Sequence, residues 1–307
     1  MRPNLAILCL FFLCCAAVAR AQPAVDIHLL EFSRAEDGSL QFGSNANMTK
    51  RPGYDNQPAF LPDGSGILFT SMRDTLQSDI YRYELATGRI HRVTDTPESE
   101  YSPTPTADGT RFSTVRVELD ETQRLWELDM AGEDPVLVLP AVKPVGYHAW
   151  GPDNRLALFV LGEPHELHLA TRGSAPSTLI CKDIGRSLQP MPDGRRISFL
   201  QRSLAEDDET ESWWIRAVDP VDGSLEDLVE APVDAQDHAW SPWGSIFMTQ
   251  GSKLLECDLD EGAPWQERAD FAEQGLSGLT RLAFHPGGEL LALVAAEPAE
   301  DSEGAKE

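Results

Sequence analysis

Two histidines in matching sequence contexts are the residues of this chain best suited to chemistry. His148 lies in Tyr-His-Ala-Trp and His238 in Asp-His-Ala-Trp. Imidazole nitrogens, and less often amide oxygens, are ligands for divalent transition metals. The two histidines, with Gln189 between them in the chain, would therefore suit one such metal. The alternative is that both rings hydrogen-bond neighbouring backbone, which requires no cofactor.

Other catalytic patterns are missing from the sequence. It contains no Gly-x-Ser-x-Gly elbow, Walker loop, His-Glu-x-x-His or Cys-x-x-Cys. His165 and His168 resemble a metal-binding pair, but they fall on a predicted strand, where residues three apart face opposite sides. We therefore expect no catalytic residue and no cofactor, and a binding module rather than an enzyme.

The elements that position these residues are repeats of four short strands. The Pro-Asp-Gly turn at residues 62–64 returns, in altered form, at residues 107–109, 152–154, 192–194, 242–244 and 286–288. Proline fixes φ, aspartate bonds its own backbone, and glycine accepts the positive φ of a tight hairpin. The turns recur about every 45 residues, the length of a four-stranded propeller blade.

The last repeat is divided between the two ends of the chain. Residues 279–298 supply its first half, and residues 25–50 supply its second half. The sequence therefore predicts an all-β, six-bladed β-propeller with four-stranded antiparallel blades. Its N-terminal strands complete the C-terminal blade, which leaves no open sheet edge. The predicted propeller domain is residues 22–298.

Residues just before the innermost strands are predicted to ring the mouth of the central channel. They offer charge, hydrogen bonds and aromatic surface in one concave place, as ligand sites do. The candidate binding residues are Asn56, Gln57, Tyr101, Tyr147, His148, Gln189, Asp237, His238 and Arg281. Four aromatic residues share one repeat position and are predicted to form core between blades: Phe60, Trp150, Trp240 and Phe284.

The first repeat carries a motif that resembles one known family, the TolB-like propellers. The motif reads Gln57-Pro58-Ala59-Phe60-x-Pro62-Asp63-Gly64, Phe69-x-Ser71-x-Arg73, Asp79-Ile80-Tyr81 and Thr87-Gly88. The resemblance implies an envelope or secreted propeller that most often binds proteins. The N-terminal α/β domain of TolB is not expected here. Propeller lyases with this repeat type hold a metal through His and Gln. They imply the alternative of a metal-dependent lyase or hydrolase acting on a glycan or small molecule, with His148, His238 and Gln189 as ligands.

The charge of the chain narrows the choice of partner. There are 25 basic and 50 acidic residues, a net charge of −25. Nucleic acids and anionic membrane surfaces are bound through clustered Lys and Arg, so neither is expected as a partner. Residues 206–211 are predicted to form an exposed acidic loop, and residues 299–307 a disordered acidic tail. The expected partner is an envelope or secreted protein or peptide, bound by a monomer.

The N-terminal residues are predicted to be an export signal. A basic start precedes an apolar run over residues 5–19, and Ala19-Arg20-Ala21 suits signal peptidase. The signal would span residues 1–21 and place the protein in the periplasm or outside the cell. A membrane anchor is one alternative, but the run is shorter than the roughly 20 residues that span a bilayer. A lipoprotein is the other, but the bulky residues 11–13 before Cys14 do not suit lipid attachment. Two cysteines remain, Cys181 and Cys257, either as a disulfide or, as their blades favour, as two thiols.

Overall fold

The computed structural model describes residues 22–73, 77–174, 176–204, 211–260, 262 and 264–298. The predicted signal peptide, the acidic tail and most of the acidic loop lie outside these residues. Within them the chain forms strands and two short 3₁₀ turns, Pro152–Asn154 and Ala272–Gln274, and no α-helix. The prediction of an all-β chain is therefore confirmed for the part that the structure describes.

Twenty-four strands follow one another along the chain. They are β1 (Val25–Arg34), β2 (Leu40–Asn47), β3 (Tyr54–Phe60), β4 (Gly66–Met72), β5 (Asp79–Glu84), β6 (Arg89–Arg92), β7 (Ser99–Pro105), β8 (Arg111–Val117), β9 (Gln123–Asp129), β10 (Val136–Leu137), β11 (Val145–Trp150), β12 (Arg155–Val160), β13 (Glu166–Thr171), β14 (Thr178–Lys182), β15 (Ile184–Pro190), β16 (Ile197–Leu204), β17 (Glu211–Val218), β18 (Leu225–Glu230), β19 (His238–Trp240), β20 (Ile246–Gln250), β21 (Lys253–Cys257), β22 (Gln266–Asp270), β23 (Leu282–Phe284) and β24 (Leu290–Ala296).

These strands form sheets of four in chain order. Strands β7–β10, β11–β14, β15–β18 and β19–β22 each make a four-stranded antiparallel sheet. The remaining eight strands share one sheet, in the order β23, β24, β1, β3, β4, β5, β6, with β2 beside β1. Repeated four-stranded antiparallel sheets are the arrangement that the sequence repeats predict.

The two ends of the chain meet in the eight-stranded sheet. β1 pairs antiparallel with β24 from Val25↔Ala296 to Glu31↔Leu290, so the first strand lies against the last one. A single parallel pair, Val25↔Tyr54, links β1 to β3. The long β1–β24 ladder leaves neither strand with an open edge, which ties the termini together.

The Pro-Asp-Gly turns have the geometry that their residue types predict. Gly64 has φ +70°, and Asn154, which replaces glycine in the third turn, has φ +59°. Asn tolerates this left-handed region better than most residues with a side chain. Asp63 accepts a hydrogen bond at Oδ1 from the Ser65 amide at 2.9 Å, which closes the turn. The residue types of these turns therefore determine where the chain reverses direction.

The rest of the first repeat's motif is structural. Asp55 on β3 is fully buried, accepts a hydrogen bond from Ser71 Oγ, and pairs with Arg51 Nε at 3.0 Å. Arg73 lies 3.9 Å from the same carboxylate and 4.7 Å over the Tyr81 ring. In the first repeat, Ser71 and Arg73 of the motif therefore lie around one buried carboxylate, and Tyr81 packs against Arg73.

The core lies on the faces of these sheets, with large apolar residues on each second strand. Phe69, Phe112, Phe199 and Phe247 are all fully buried, on β4, β8, β16 and β20. Burying such a side chain contributes about 1.5–3 kcal/mol. Facing residues of successive sheets close the space between them.

The innermost strands contact one another in a ring. β3 contacts β7, β11 contacts β15, β15 contacts β19, β19 contacts β23, and β23 contacts β3, while β11 reaches the preceding sheet through β8 and β9. The ring therefore surrounds an axis, and residues on its strands face a common centre.

Two further expectations concern membranes and cysteines. No helix of the described residues is long and apolar enough to cross a bilayer. Cys181 on β14 and Cys257 on β21 are not joined by a disulfide. The prediction of two thiols is therefore confirmed, and burial raises the pKa of the Cys181 thiol to about 11.

Candidate functional site

A central cavity of about 640 Å³ lies on the axis of the ring. Its wall is built by the innermost strands β3, β7, β11, β15, β19 and β23 and by the Pro-Asp-Gly turns that follow several of them. Ligand pockets usually have volumes of about 300–1,000 Å³. The cavity is therefore large enough for a small ligand or a few residues of a peptide.

The structure brings most of the predicted binding residues to this cavity. Gln57, Tyr147, His148, Gln189, Asp237, His238 and Arg281 line it. Asn56 and Tyr101 are not among the lining residues: Asn56 bonds the Gln57 amide through Oδ1 at 2.7 Å, and Tyr101 packs on the core of the first sheet.

The depth of these residues differs from the prediction. Strands β3, β11 and β15 begin two or more residues before Gln57, Tyr147 and Gln189, so these three lie within the strands and not ahead of them. Asp237 and Arg281 do precede their strands, β19 and β23. The predicted residues therefore form the wall of an internal cavity more than a rim.

His238 is locked into the protein by both ring nitrogens. Nε2 lies 2.7 Å from Ser198 Oγ, and Nδ1 lies 3.0 Å from Ser187 Oγ, both on the preceding sheet. Ser198 Oγ also accepts the Trp240 indole N–H at 2.8 Å. Burial lowers the pKa of His238 to about 4, although the Asp237 charge opposes this. The ring is therefore neutral at physiological pH.

His148 makes the same contact with one nitrogen only. Nε2 lies 2.6 Å from Ser113 Oγ, which also accepts the Trp150 indole N–H at 2.8 Å. Nδ1 is buried and has no hydrogen-bond partner among the described residues. Oγ of Ser102 is likewise buried and without a hydrogen-bond partner there. Burial lowers the pKa of His148 to about 3. Its ring is also neutral, and one buried polar atom of it faces no protein partner.

Ser102 is the residue that would complete the second bond. It stands two residues before Thr104, which pairs with Ser113; Ser187 stands two residues before Gln189, which pairs with Ser198. Ser102 is therefore the counterpart of Ser187. Its φ of +55° lies at a register shift of β7, however, which takes the chain out of the conformation that Ser187 has.

These contacts do not fit a shared metal. His238 has no ring nitrogen left for a ligand bond. The register of Gln189 matches that of Ala149 and Ala239, the residues after the histidines, so its side chain lies on the other face of its strand. No group of three or more His, Cys, Asp and Glu in the described part of the chain could hold a metal ion.

An arginine that sequence reasoning missed also lies at the cavity. Arg186 on β15 holds Asp237 with two hydrogen bonds, one from Nε to Oδ1 at 3.0 Å and one from Nη2 to Oδ2. Burial works against the Asp237 charge, but Arg281 and Arg186 hold the pKa of Asp237 below its usual value. An arginine on an innermost strand of so acidic a chain was the signal that could have revealed this pair.

Arg281 has no carboxylate at hydrogen-bond distance in the described residues, although Asp237 acts on it at longer range. Its Nη2 donates to the Tyr147 hydroxyl at 2.9 Å, and its guanidinium carbon lies 4.9 Å from the centre of the same ring. No carboxylate of the described residues lies within 4.0 Å of it, whereas Arg186 has Asp237. Burial raises the pKa of nearby Tyr54 to about 12, so no phenolate neutralises the cluster at neutral pH.

Four aromatic residues form part of the cavity wall. Trp150, Trp240, Phe60 and Phe284 each pack against a core cluster but are only partly buried, and all four line the cavity. The prediction placed them in the core between blades. They serve that role on one face and offer apolar surface to the cavity on the other.

Known proteins share this fold at low sequence identity. No family model and no curated protein sequence matches the chain. A structure from Agrobacterium tumefaciens described as a TolB matches with a TM-score of 0.66 and 17% identity, over 90% of this chain and 99% of that chain. TolB from Acinetobacter baumannii gives a TM-score of 0.53 and 15% identity, over 88% of this chain and 64% of that chain. An oligogalacturonate lyase in complex with manganese gives 0.58 and 13%, over 90% and 91%.

These likenesses define the class of protein by its fold alone. The chain has a TolB-like β-propeller fold, and one fold of this kind carries unrelated functions. What the protein does has to be argued from its own cavity.

Proposed function

We propose that the chain is an exported, non-catalytic binding propeller of six blades that recognises a protein or peptide partner in its central cavity. The observation that carries this proposal is the cavity itself. All the innermost strands contribute to it, and it combines apolar walls with one arginine, Arg281, that has no carboxylate within 4.0 Å in the described residues. Such a mixture suits a peptide segment, which presents both apolar and polar groups.

The arrangement of the sheets supports the blade count in this proposal. The eight-stranded sheet divides at its single parallel pair into two sets of four, β3–β6 and β23, β24, β1, β2. Together with the four other sheets, these two sets give six blades, formed by residues 22–298. We further propose that residues 1–21 direct export, that the protein acts as a monomer in the periplasm or outside the cell, and that its partner is an envelope or secreted protein.

A photo-crosslinking experiment tests the site of recognition. A photoreactive phenylalanine analogue replaces Phe60, which lines the cavity, and in a second protein it replaces Leu179 on the outer strand β14, which is 45% exposed. Irradiation in the native compartment is expected to join a partner to the first protein alone. Crosslinks from Leu179 only would place the contact surface outside the cavity and contradict the proposal.

The metal-dependent enzyme stays the alternative prediction, and no contact of the described residues favours it. Elemental mass spectrometry of protein purified from its native compartment, beside the double variant His148→Ala, His238→Ala, decides it. Near-stoichiometric metal that the double variant loses would replace binding by metal chemistry as the better proposal.

A further inference from the structure

The residues that line the central cavity carry a net positive charge, whereas the whole protein is strongly negative. Its charged lining residues are Arg186, Arg196, Arg281 and Asp237, whereas the whole chain carries −25. Asp237 is bound by Arg186, and Arg196 by Asp193 and Glu226. Asp237 also acts on Arg281 at longer range, so Arg186, Arg281 and Asp237 together leave one net positive charge. Arg281 is the lining arginine that has no carboxylate within 4.0 Å in the described residues. A buried guanidinium gains most from a carboxylate, which it can bind through two parallel hydrogen bonds.

Unpartnered polar atoms lie on the same cavity wall. Nδ1 of His148, a residue that is only 6% exposed, and Oγ of Ser102 are buried and make no hydrogen bond in the described part of the chain. Buried polar groups in proteins nearly always have a partner. The equivalent atoms of His238 and Ser187 satisfy each other, so the wall between β7 and β11 is the one prepared for an outside polar group.

The number of charges limits what the anion is. One unpartnered guanidinium suits one carboxylate, and the net charge of −25 repels a chain of many carboxylates. At physiological ionic strength the repulsion is screened beyond about 8 Å, so a single carboxylate on a neutral or basic chain reaches Arg281. The aromatic walls add contacts for apolar side chains. A peptide with a free C-terminus has this chemistry.

We propose that the cavity binds the C-terminal end of a peptide, with the terminal carboxylate on Arg281 and Tyr147 and a backbone polar group on Ser102 and His148. The inference rests on the proposed function, peptide recognition in this cavity, and adds which part of the peptide is read. The free carboxylate replaces water on Arg281, and the last side chains pack against the aromatic wall.

Two peptide pools of identical random seven-residue sequences test this inference. One pool ends in a free carboxylate and the other in a carboxamide, and both are applied to the immobilised full chain. A charge-assisted hydrogen bond makes the free-acid pool bind about tenfold to hundredfold more tightly. Arg281→Gln is expected to abolish the preference, and Arg281→Lys to retain part of it. Arg89→Gln, the same charge change on the outer strand β6, is expected to retain all of it.

The outcomes separate the inference from the proposed function. Equal binding of both pools overturns the carboxylate assignment and leaves peptide recognition standing, whereas binding of neither pool overturns both. Full competition by millimolar acetate overturns the peptide part, because the site would then read the carboxylate alone. The comparison of pools on the unchanged protein decides the matter even if Arg281→Gln does not fold, and a melting curve of each variant shows whether it does.

Discussion

His148 and His238 occupy the same position in two repeats, yet their surroundings differ by one hydrogen bond. Both bind a serine of the preceding sheet, and the same serine binds the tryptophan two residues later. Nδ1 of His238 hydrogen-bonds a second serine, Ser187. The counterpart serine, Ser102, makes no such bond with Nδ1 of His148. The comparison teaches that the repeated contact holds neighbouring sheets together, and that the departure from the repeat leaves a buried polar atom of a cavity-lining residue without a partner in the described residues.

Removing each ring is expected to produce the largest difference between the two sites. His238→Ala leaves a cavity and removes two ring hydrogen bonds, to Ser198 and Ser187, and should lower the free energy of unfolding by about 4 kcal/mol. His148→Ala leaves a similar cavity but removes one ring hydrogen bond, to Ser113, and should cost about 3 kcal/mol. Urea unfolding measures both, with His91→Ala on the outer strand β6 as control. Equal losses at the two sites would contradict the comparison.

Acid is expected to destabilise the protein through both rings. Burial sets the pKa of His148 to about 3 and of His238 to about 4, below the 6.5 of an unfolded histidine. As pH falls through 6.5 the unfolded state binds protons that the folded state refuses, so stability is complete above 6.5 and declines below it. Each ring removes about 3 kcal/mol by pH 4.5.

The contribution of each ring is measured as a difference between proteins. The stability gap between the unchanged protein and His148→Asn or His238→Asn should narrow by about 3 kcal/mol from pH 7.5 to 4.5. Glu100 has a pKa that burial raises to about 7, which gives the opposite slope, but it is common to all three proteins and cancels. As the pH is lowered, NMR should show His238 becoming protonated before His148, because the negative charge of Asp237 stabilises the protonated His238 ring. Titration of His148 near 6.5 would mean that Nδ1 is hydrated.

The two arginines Arg186 and Arg281 at the cavity offer the next contrast. Asp237→Asn leaves Arg186 without its carboxylate and should lower the free energy of unfolding by about 2 kcal/mol, less than for a fully buried pair because Arg186 is partly exposed. Arg281→Gln removes a guanidinium that has no carboxylate within 4.0 Å in the described residues, so the change should stay below about 1 kcal/mol. Thermal melting compares them. A loss at Arg281 as large as at Asp237 would make Arg281 structural and argue against a ligand there.

The smallest expected effects belong to the two serines. Ser187→Ala leaves Nδ1 of His238 without its partner and should lower the free energy of unfolding by about 1.5 kcal/mol. Ser102→Ala should change it by less than about 0.5 kcal/mol but weaken binding of the free-acid peptides about fivefold. Calorimetry and peptide titration measure the pair. If Ser102→Ala destabilises as much as Ser187→Ala, the hydroxyl of Ser102 has a structural partner.

Most of the fold could be predicted because its signals are local. A turn such as residues 62–64 is fixed by its own residue types, and alternating strands bounded by such turns pair with their neighbours. The complementary half-repeats at the two ends predicted the β1–β24 ladder, which the structure contains. The cavity residues were found for the same reason: the predicted residues that line the cavity all stand four to six residues before the centre of their turn.

The details of the site could not be predicted because they depend on register. Strands β3, β7, β11 and β15 all shift register near the cavity. A shift of one residue turns every following side chain to the other face of a strand. Arg186 lies inside the shifted stretch of β15, and it was passed over. Gln189 lies after the shift and stands four residues before the centre of its turn, as Ala149 does, so grouping it with the histidines was wrong.

By itself the sequence determined the strands, the turns, the period of the repeat and the residue types that reach the axis. Only the tertiary structure decided which of those residues have polar partners on the neighbouring sheets. His238 finds Ser187 and Arg186 finds Asp237, both across 51 residues of chain, while Arg281 and Nδ1 of His148 find no such group in the described residues. Sequence patterns state which groups are present. Whether a buried polar group is satisfied depends on ångström-scale distances between strands, and those are set when the ring closes.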